Sequence, residues 1–292
     1  MTEPAIAILP YGQKLDRGLP QMPLAQLHWP LGCPDRLQGG SVGDLTAADH
    51  LIVFAKTAMH FQLNWYCRAQ LSLMVMEPKI MSASHHRLLR LSHRRFFRVF
   101  TYDPDLLARL PNGLFLPFGT TWVPEWQDLD LEKTLDLSLI ASAKRDHPGH
   151  KLRHQLVEYL QQNVSDARIL GRGYAPFEHK SEGLAPFRYS VVIENVQEPN
   201  CFTEKLIDAI LCETVPIYWG CPNIGDFFDT EGMILCNDLA DMERAVRSIS
   251  AEDYARRLPA LRAAKPAAAH YGDLFLRAAE VLRDSLKGGN AP

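Results

Sequence analysis

The residues best suited to chemistry lie in the stretch YSVVIENVQEPNCFTEKLIDAILCETVPIYWGCPNIGDFF, from Tyr189 to Phe228. An apolar run ends in a carboxylate and an amide, Glu194-Asn195, and a loop through Pro199 leads to Thr203-Glu204-Lys205 at a predicted helix start. A helix N-terminus carries free N–H groups and partial positive charge, so it suits an anionic phosphate. A lysine in that first turn repels the dipole, and a bound anion would offset both charges. The same residues also fit a plainer reading, in which Glu194 closes a strand, Thr203 caps a helix and Lys205 is solvated. Upstream, the loop Ser142–Lys144 precedes a predicted helix that carries Arg153, and the apolar run Leu71–Met76 ends in Glu77-Pro78. A carboxylate at the end of an apolar strand stands where open α/β sheets keep functional groups, and an apolar approach would raise its pKa toward that of a general base; an exposed strand-terminal glutamate before proline is the plainer alternative.

These residues need a scaffold, and the apolar pattern supplies one. Ala5–Leu9, Leu51–Ala55, Leu71–Met76, Phe96–Thr101 and Leu114–Phe118 are short continuous apolar runs, the pattern of buried parallel strands. Between them Ser84–Arg95 reads as an amphipathic helix, and Asp103-Pro104 as an N-cap followed by proline at the first helical position. This repetition predicts a doubly wound α/β domain over residues 1–128. The acidic stretch 123–136, VPEWQDLDLEKTLD, reads as a connector. The alternation then restarts in a second α/β domain, 129–292. Its strands are predicted at 137–141, 168–170, 189–193, 215–219 and 233–235, its helices at 150–162, 203–212 and 239–249. Two more helices follow between Ala251 and Lys287.

The bulk composition fits two packed domains. The 292 residues are 47% hydrophobic and 22% charged, which excludes wholesale disorder. The net charge of −3 gives no global attraction to nucleic acid or an anionic membrane, so no nucleic-acid partner and at most peripheral membrane contact are expected. No segment reaches the length of a spanning helix, and Ala5–Leu9 is too short for a leader core. Six scattered cysteines without a C-x-x-C pair suggest reduced thiols, so a cytoplasmic location is expected.

The stretch ENVQEPNCFTEKLIDAILCETVPIYWGCPNIGDFF resembles the signature of glycosyltransferase family 10, the α-1,3/1,4-fucosyltransferases: E-N, a short loop, Y-V-T-E-K, then V/I-P-I-Y-x-G-x-P and a distal Phe-Asn. Weaker similarity runs through IASAKRDHPGHKLRHQLVEYL, and LMVMEPKI is similar to the family's strand ending in E-S-P. The resemblance implies an α/β GT-B fold, two Rossmann-like domains facing a central cleft, with the nucleotide sugar on the C-terminal one. It implies an inverting transfer of fucose, or a related sugar, from a GDP-sugar to a carbohydrate hydroxyl of a glycan or glycolipid. Ser142, Lys144, Arg153, Glu194, Asn195, Thr203, Glu204 and Lys205 would then line the donor site, with Arg153 and Lys205 stabilising the leaving diphosphate. The carboxylates Glu194 and Glu204 would take ribose and sugar hydroxyls or hold Lys205, and Glu77 would be the general base. The cations make a divalent ion or other cofactor unnecessary. Eukaryotic members carry a membrane anchor and stem, and this chain is similar to a soluble bacterial form.

The sequence departs from the pattern at Cys201, where the family has tyrosine, at Phe228-Asp229 in place of Phe-Asn, and at Glu77-Pro78, which lacks the serine. Transfer from another nucleotide sugar, or a non-catalytic sugar-nucleotide or glycan-binding role, are the alternatives. His147, His150 and His154 have ligand-like spacing but no Cys or acidic partner nearby, so a polar helix start is expected and no metal is assigned. Gly171-x-Gly173 lacks a third glycine, though it fits a donor loop with Arg172. The basic run His85–Arg98 fits a solvated helix face better than a site for lipid head groups, a phosphorylated acceptor or nucleic acid.

Overall fold

The computed structural model describes residues 3–287, so the ends of the two expected domains, residues 1–2 and 288–292, lie outside the described residues. The chain forms two compact units, one running to Pro117 and regaining the chain from Leu274, the other spanning Phe118–Asp273. Each is built on a five-stranded parallel sheet.

In the first unit β1 (Ile6–Ile8), β2 (His50–Phe54), β3 (Gln70–Met74), β4 (Val99–Thr101) and β5 (Gly113–Phe115) lie side by side in chain order. The expected runs all contain strands; β1–β4 bury apolar side chains on both faces, while β5, at the sheet edge, is half-exposed. The expected double winding is not seen, since the strand order never reverses. The links explain this: short 3₁₀ turns join β1 to β2, and longer helix appears only in α1 (Lys79–Ser92), with one turn in α2 (Pro104–Leu107). Asp103 caps α2 as its sequence predicts, its carboxylate accepting the Leu106 N–H at 2.7 Å.

In the second unit β6 (Leu135–Ile140), β7 (Arg168–Leu170), β8 (Phe187–Ile193), β9 (Val215–Trp219) and β10 (Ile234–Leu235) take the order β10-β9-β8-β6-β7. The chain steps from β6 outward to β7, then returns to the far side of β6 with β8. That reversal between β6 and β8 is a topological switch point. Its helices are α3 (Pro148–Asn163), α4 (Glu204–Leu211), α5 (Leu239–Ser248) and α6 (Ala251–Gly272). Pro216 sits inside β9, yet no ladder bond is lost. Tyr218 turns its carbonyl toward β10, accepting the Cys236 N–H at 2.9 Å. Pro216 shares that side two residues earlier, before β10 begins at the pair Ile234–Ile217.

Two expectations about domain organisation need correction. The break falls at 117/118, not 128/129, and the last helix, α7 (Leu274–Lys287), belongs to the first unit. Its Phe275 ring stacks on His28 at 4.7 Å, and Arg277 donates to the Pro117 carbonyl at 3.0 Å. The stretch 123–136 is no free linker either. Lys133 donates to the Ala185 and Cys212 carbonyls at 2.7 Å each, and Thr121, just before the stretch, donates to Asp208 at 2.6 Å. No helix among the described residues is long and apolar enough to cross a membrane, and all six cysteines are free thiols.

Candidate functional site

The switch point of the second sheet opens into a cavity of about 260 Å³. Strand ends and helix starts build it: Ile140 ends β6 and Ser142 follows it, Val191–Ile193 end β8 and Asn195 follows it, His150 and Arg153 come from α3, and Glu204 and Lys205 open α4. Six of the sequence-predicted residues therefore meet in one place: Ser142, Lys144, Arg153, Asn195, Glu204 and Lys205. Glu194 and Thr203 stand directly behind them.

Glu194 is 1% exposed and ties strand to helix. Its two oxygens accept the Thr203 N–H at 2.8 Å and the Thr203 hydroxyl at 2.7 Å. Thr203 in turn caps α4. Lys205 places its Nζ 3.0 Å from the Thr203 hydroxyl, 3.1 Å from Glu204 and 3.5 Å from Glu194. Burial opposes the lysine's charge, but the two carboxylates outweigh it and hold its pKa above the ordinary value. Burial likewise raises Glu204, yet Lys205 and Lys180 prevail and keep its carboxyl below the usual range. Of the two roles expected for the carboxylates, the geometry shows the second: they hold Lys205. The anion expected to offset Lys205 is thus not required, because the protein supplies its own.

Arg153 is 4% exposed and donates to the Ile193 carbonyl. Burial lowers its pKa, while Glu194 and Glu204 act the other way. Arg153 and Lys205 thus balance Glu194 and Glu204, which is how a buried charge set avoids a prohibitive desolvation cost. His150, also buried, is pushed down to about 4 by burial and by Arg153 and His147, so it is neutral at pH 7. Its Nδ1 accepts the His147 N–H at 3.3 Å, and His154 bonds the Tyr174 hydroxyl at 2.8 Å. His147 and His150 serve the helix start, while His154 ties the helix to Tyr174 and the Lys144 carbonyl. Among the described residues no group of three or more His, Cys, Asp or Glu could hold a metal ion.

Several contributors escaped the sequence reading. Gly149, in the first turn of α3, lets the helix touch the strand: a Cβ there would lie 1.8 Å from the Glu194 carbonyl oxygen. Lys180 bridges Asp208 at 2.7 Å, lies 5.1 Å from the Trp122 ring and, with Trp122, walls one side of the cavity. Phe202 locks the loop before Thr203 by packing against Phe227, Phe228 and Tyr271 at 4.9–5.3 Å. Cys201, at the tyrosine position, is buried and does not line the cavity, and Asp229 caps a 3₁₀ turn through Glu231. Gly173 packs beside Ala143 of the Ser142–Lys144 loop at 3.5 Å from its notional Cβ, while Arg172 is exposed.

Glu77 belongs to the first unit. It follows β3, the central strand, and immediately precedes α1, whose Ser82 hydroxyl donates to its carbonyl at 3.0 Å. Its side chain is exposed, so the apolar surroundings expected of it are not present.

No family model matches the chain. The α-(1,3)-fucosyltransferase FucT of Helicobacter pylori is 32% identical over 69 residues, which is 24% of this chain and 14% of that protein. The match therefore spans far less than two thirds of that relative's length. Among solved structures, an α1,3-fucosyltransferase superposes with a TM-score of 0.53 at 14% identity, covering 89% of this chain and 82% of that one. TarM of S. aureus gives 0.54 at 12% identity over 84% and 55% of the two chains. Anabaena HepE, solved with UDP, gives 0.53 at 12% identity over 82% and 79%. The chain has the GT-B fold, and its family likeness, carried by the motif around Glu194–Lys205 and by the 69-residue match, is to glycosyltransferase family 10.

Proposed function

We propose that this chain is an inverting glycosyltransferase that moves fucose, or a related sugar, from a GDP-sugar to a carbohydrate hydroxyl of a glycan or glycolipid. The observation that carries the reading is the cavity at the β6/β8 switch point, where buried carboxylates hold Lys205 and the Ile193 carbonyl holds Arg153. The name of the Helicobacter relative supports the choice of fucose. In the reaction the acceptor oxygen bonds to the sugar's anomeric carbon as the bond from that carbon to the diphosphate breaks on the opposite face. The acceptor's proton goes to Glu77, and negative charge collects on the departing diphosphate. Arg153 and Lys205, aided by Ser142 and Lys144, take up that charge, each charge-assisted hydrogen bond contributing about 1.5–3 kcal/mol. Because the arrangement needs no reorganisation, its stabilisation applies in the transition state. The cations perform the task often given to a divalent ion, so turnover should survive EDTA. The free thiols support a reducing, cytoplasmic setting.

The test is a melting-temperature panel with GDP, UDP and their sugars, followed by hydrolysis and transfer assays with lactose, N-acetyllactosamine and lipid-linked glycans. GDP should raise the melting temperature most, and GDP-fucose should be consumed. Binding without any turnover would leave a sugar-nucleotide-binding protein instead. A second reading, transfer from another nucleotide sugar, is favoured by the buried Cys201 and by the UDP in HepE. A larger shift with UDP would select it.

A further inference from the structure

We infer that the outward face of α1, with the neighbouring loop 61–68, docks onto an anionic lipid surface. The stretch from 56 to 102 holds eight Lys and Arg against one carboxylate, Glu77, in a chain whose overall charge is −3. Part of this positive charge is absorbed. Arg95 donates to the Gln62 carbonyl and lies 5.3 Å from the Trp65 ring, and Lys79 pairs with Asp105 at 2.7 Å. Lys56 donates to the Gly12 and Gln13 carbonyls and Arg98 lies over the Phe97 ring, while Arg68, Arg87, Arg90 and Arg94 face solvent. Arg87, Arg90 and Arg94 are exposed, and among the described residues none of them is in a salt bridge.

Bare charge would fit any polyanion, and the apolar side chains decide the partner. Ile80, Arg87 and Leu91 share one face of α1 at helical spacing, and Leu91 is 90% exposed. At the same end of the helix, His60 bonds His85 at 2.8 Å and Ser92 at 2.7 Å, anchoring the start of the loop. That loop presents Phe61 at 64% and Leu63 at 95% exposure, with Arg68 also exposed. Large apolar side chains set among unpaired arginines match an acyl boundary beneath anionic head groups. Nucleic acid offers charge without that apolar layer. The complementarity is local, so it coexists with the chain's net negative charge.

The test is sedimentation of the full chain with vesicles of phosphatidylcholine alone or with about one third phosphatidylglycerol. The chain should pellet only with the anionic vesicles and should be released as salt rises, because charges beyond about 10 Å are screened near 0.1 M. Reversing Arg87, Arg90 and Arg94 to Glu should lower partitioning at least about tenfold, since each basic residue at such a surface is worth about fivefold. Leu63→Ser with Leu91→Ser keeps the charge and should lower it several-fold. An unchanged urea midpoint and GDP affinity would show that both variants fold. A parental chain that stays in the supernatant, equal pelleting of parent and folded variants, or insensitivity to the two leucines with tight binding to a DNA oligonucleotide would each overturn the proposal. Concentration-dependent dimerisation abolished by the same substitutions would do so as well.

Discussion

The two sheets have the same number of parallel strands, yet they finish them differently. In the second unit the order reverses between β6 and β8, and the strand ends part to leave a crevice. Mutually neutralising charges stand in and behind its wall: Arg153, Glu204 and Lys205 line it, and Glu194 is buried behind them. In the first unit the order never reverses, and the central strand delivers Glu77 into solvent. One end is built to hold charge in place, at a cost in desolvation. The other leaves a carboxylate exposed, at no cost to the core. Changes on the two sides should therefore separate catalysis from stability.

The largest separation is expected at Glu77. Glu77→Gln should lower transfer by about 10²–10⁴, the usual worth of a general base, and remove the acidic limb of the rate–pH profile. Its urea midpoint should match the parent's, because an exposed isosteric change moves stability by less than about 0.5 kcal/mol. Transfer at the parental rate would place the base elsewhere. The opposite pattern belongs to Arg153. Arg153→Ala strands Glu194 and Glu204 beside Lys205 alone and should cost about 3–5 kcal/mol in urea unfolding. A midpoint within experimental error of the parent would mean that the buried charges are not coupled.

Acid should loosen both units through different residues. Burial depresses His50 and His60 in the first unit and His150 in the second, each from 6.5 to about 4. The unfolded chain binds these protons more readily, so their contribution is complete above about pH 6.5 and shrinks as pH falls toward 4. Each could withdraw up to about 3 kcal/mol. Asp49, held at about 2 against burial by Arg36 and the Thr46 and Ala5 N–H groups, resists until lower pH. Denaturation midpoints followed from pH 7 to pH 4 should fall steadily, and His150→Gln should flatten the part due to the second unit. A midpoint that is level across this range would contradict the assigned burial.

Much of this was legible in the residues. Buried parallel strands announced themselves as continuous apolar runs, and Asp103-Pro104 gave the start of α2. The motif brought together Arg153, Asn195, Glu204 and Lys205, which line one cavity. What stayed hidden depended on contacts between distant segments. Nothing in an amphipathic helix names its partner, so the membership of α7 in the first unit is not legible in its sequence. Gly149 matters because the Glu194 carbonyl, just past β8, touches it, and Lys180 because Asp208 and Trp122 lie beside it. The role of Glu194 was also open in sequence, and only the two bonds to Thr203 show it holding the helix start.

The central claim, that the charged crevice of the second unit holds the donor's diphosphate, is tested most directly by calorimetric titration of GDP into the parent, Lys205→Ala and Glu77→Gln. Lys205→Ala should weaken GDP binding by about 1–3 kcal/mol, the range for losing a charge-assisted hydrogen bond, while Glu77→Gln binds as the parent does. Unchanged GDP affinity in folded Lys205→Ala would contradict the claim.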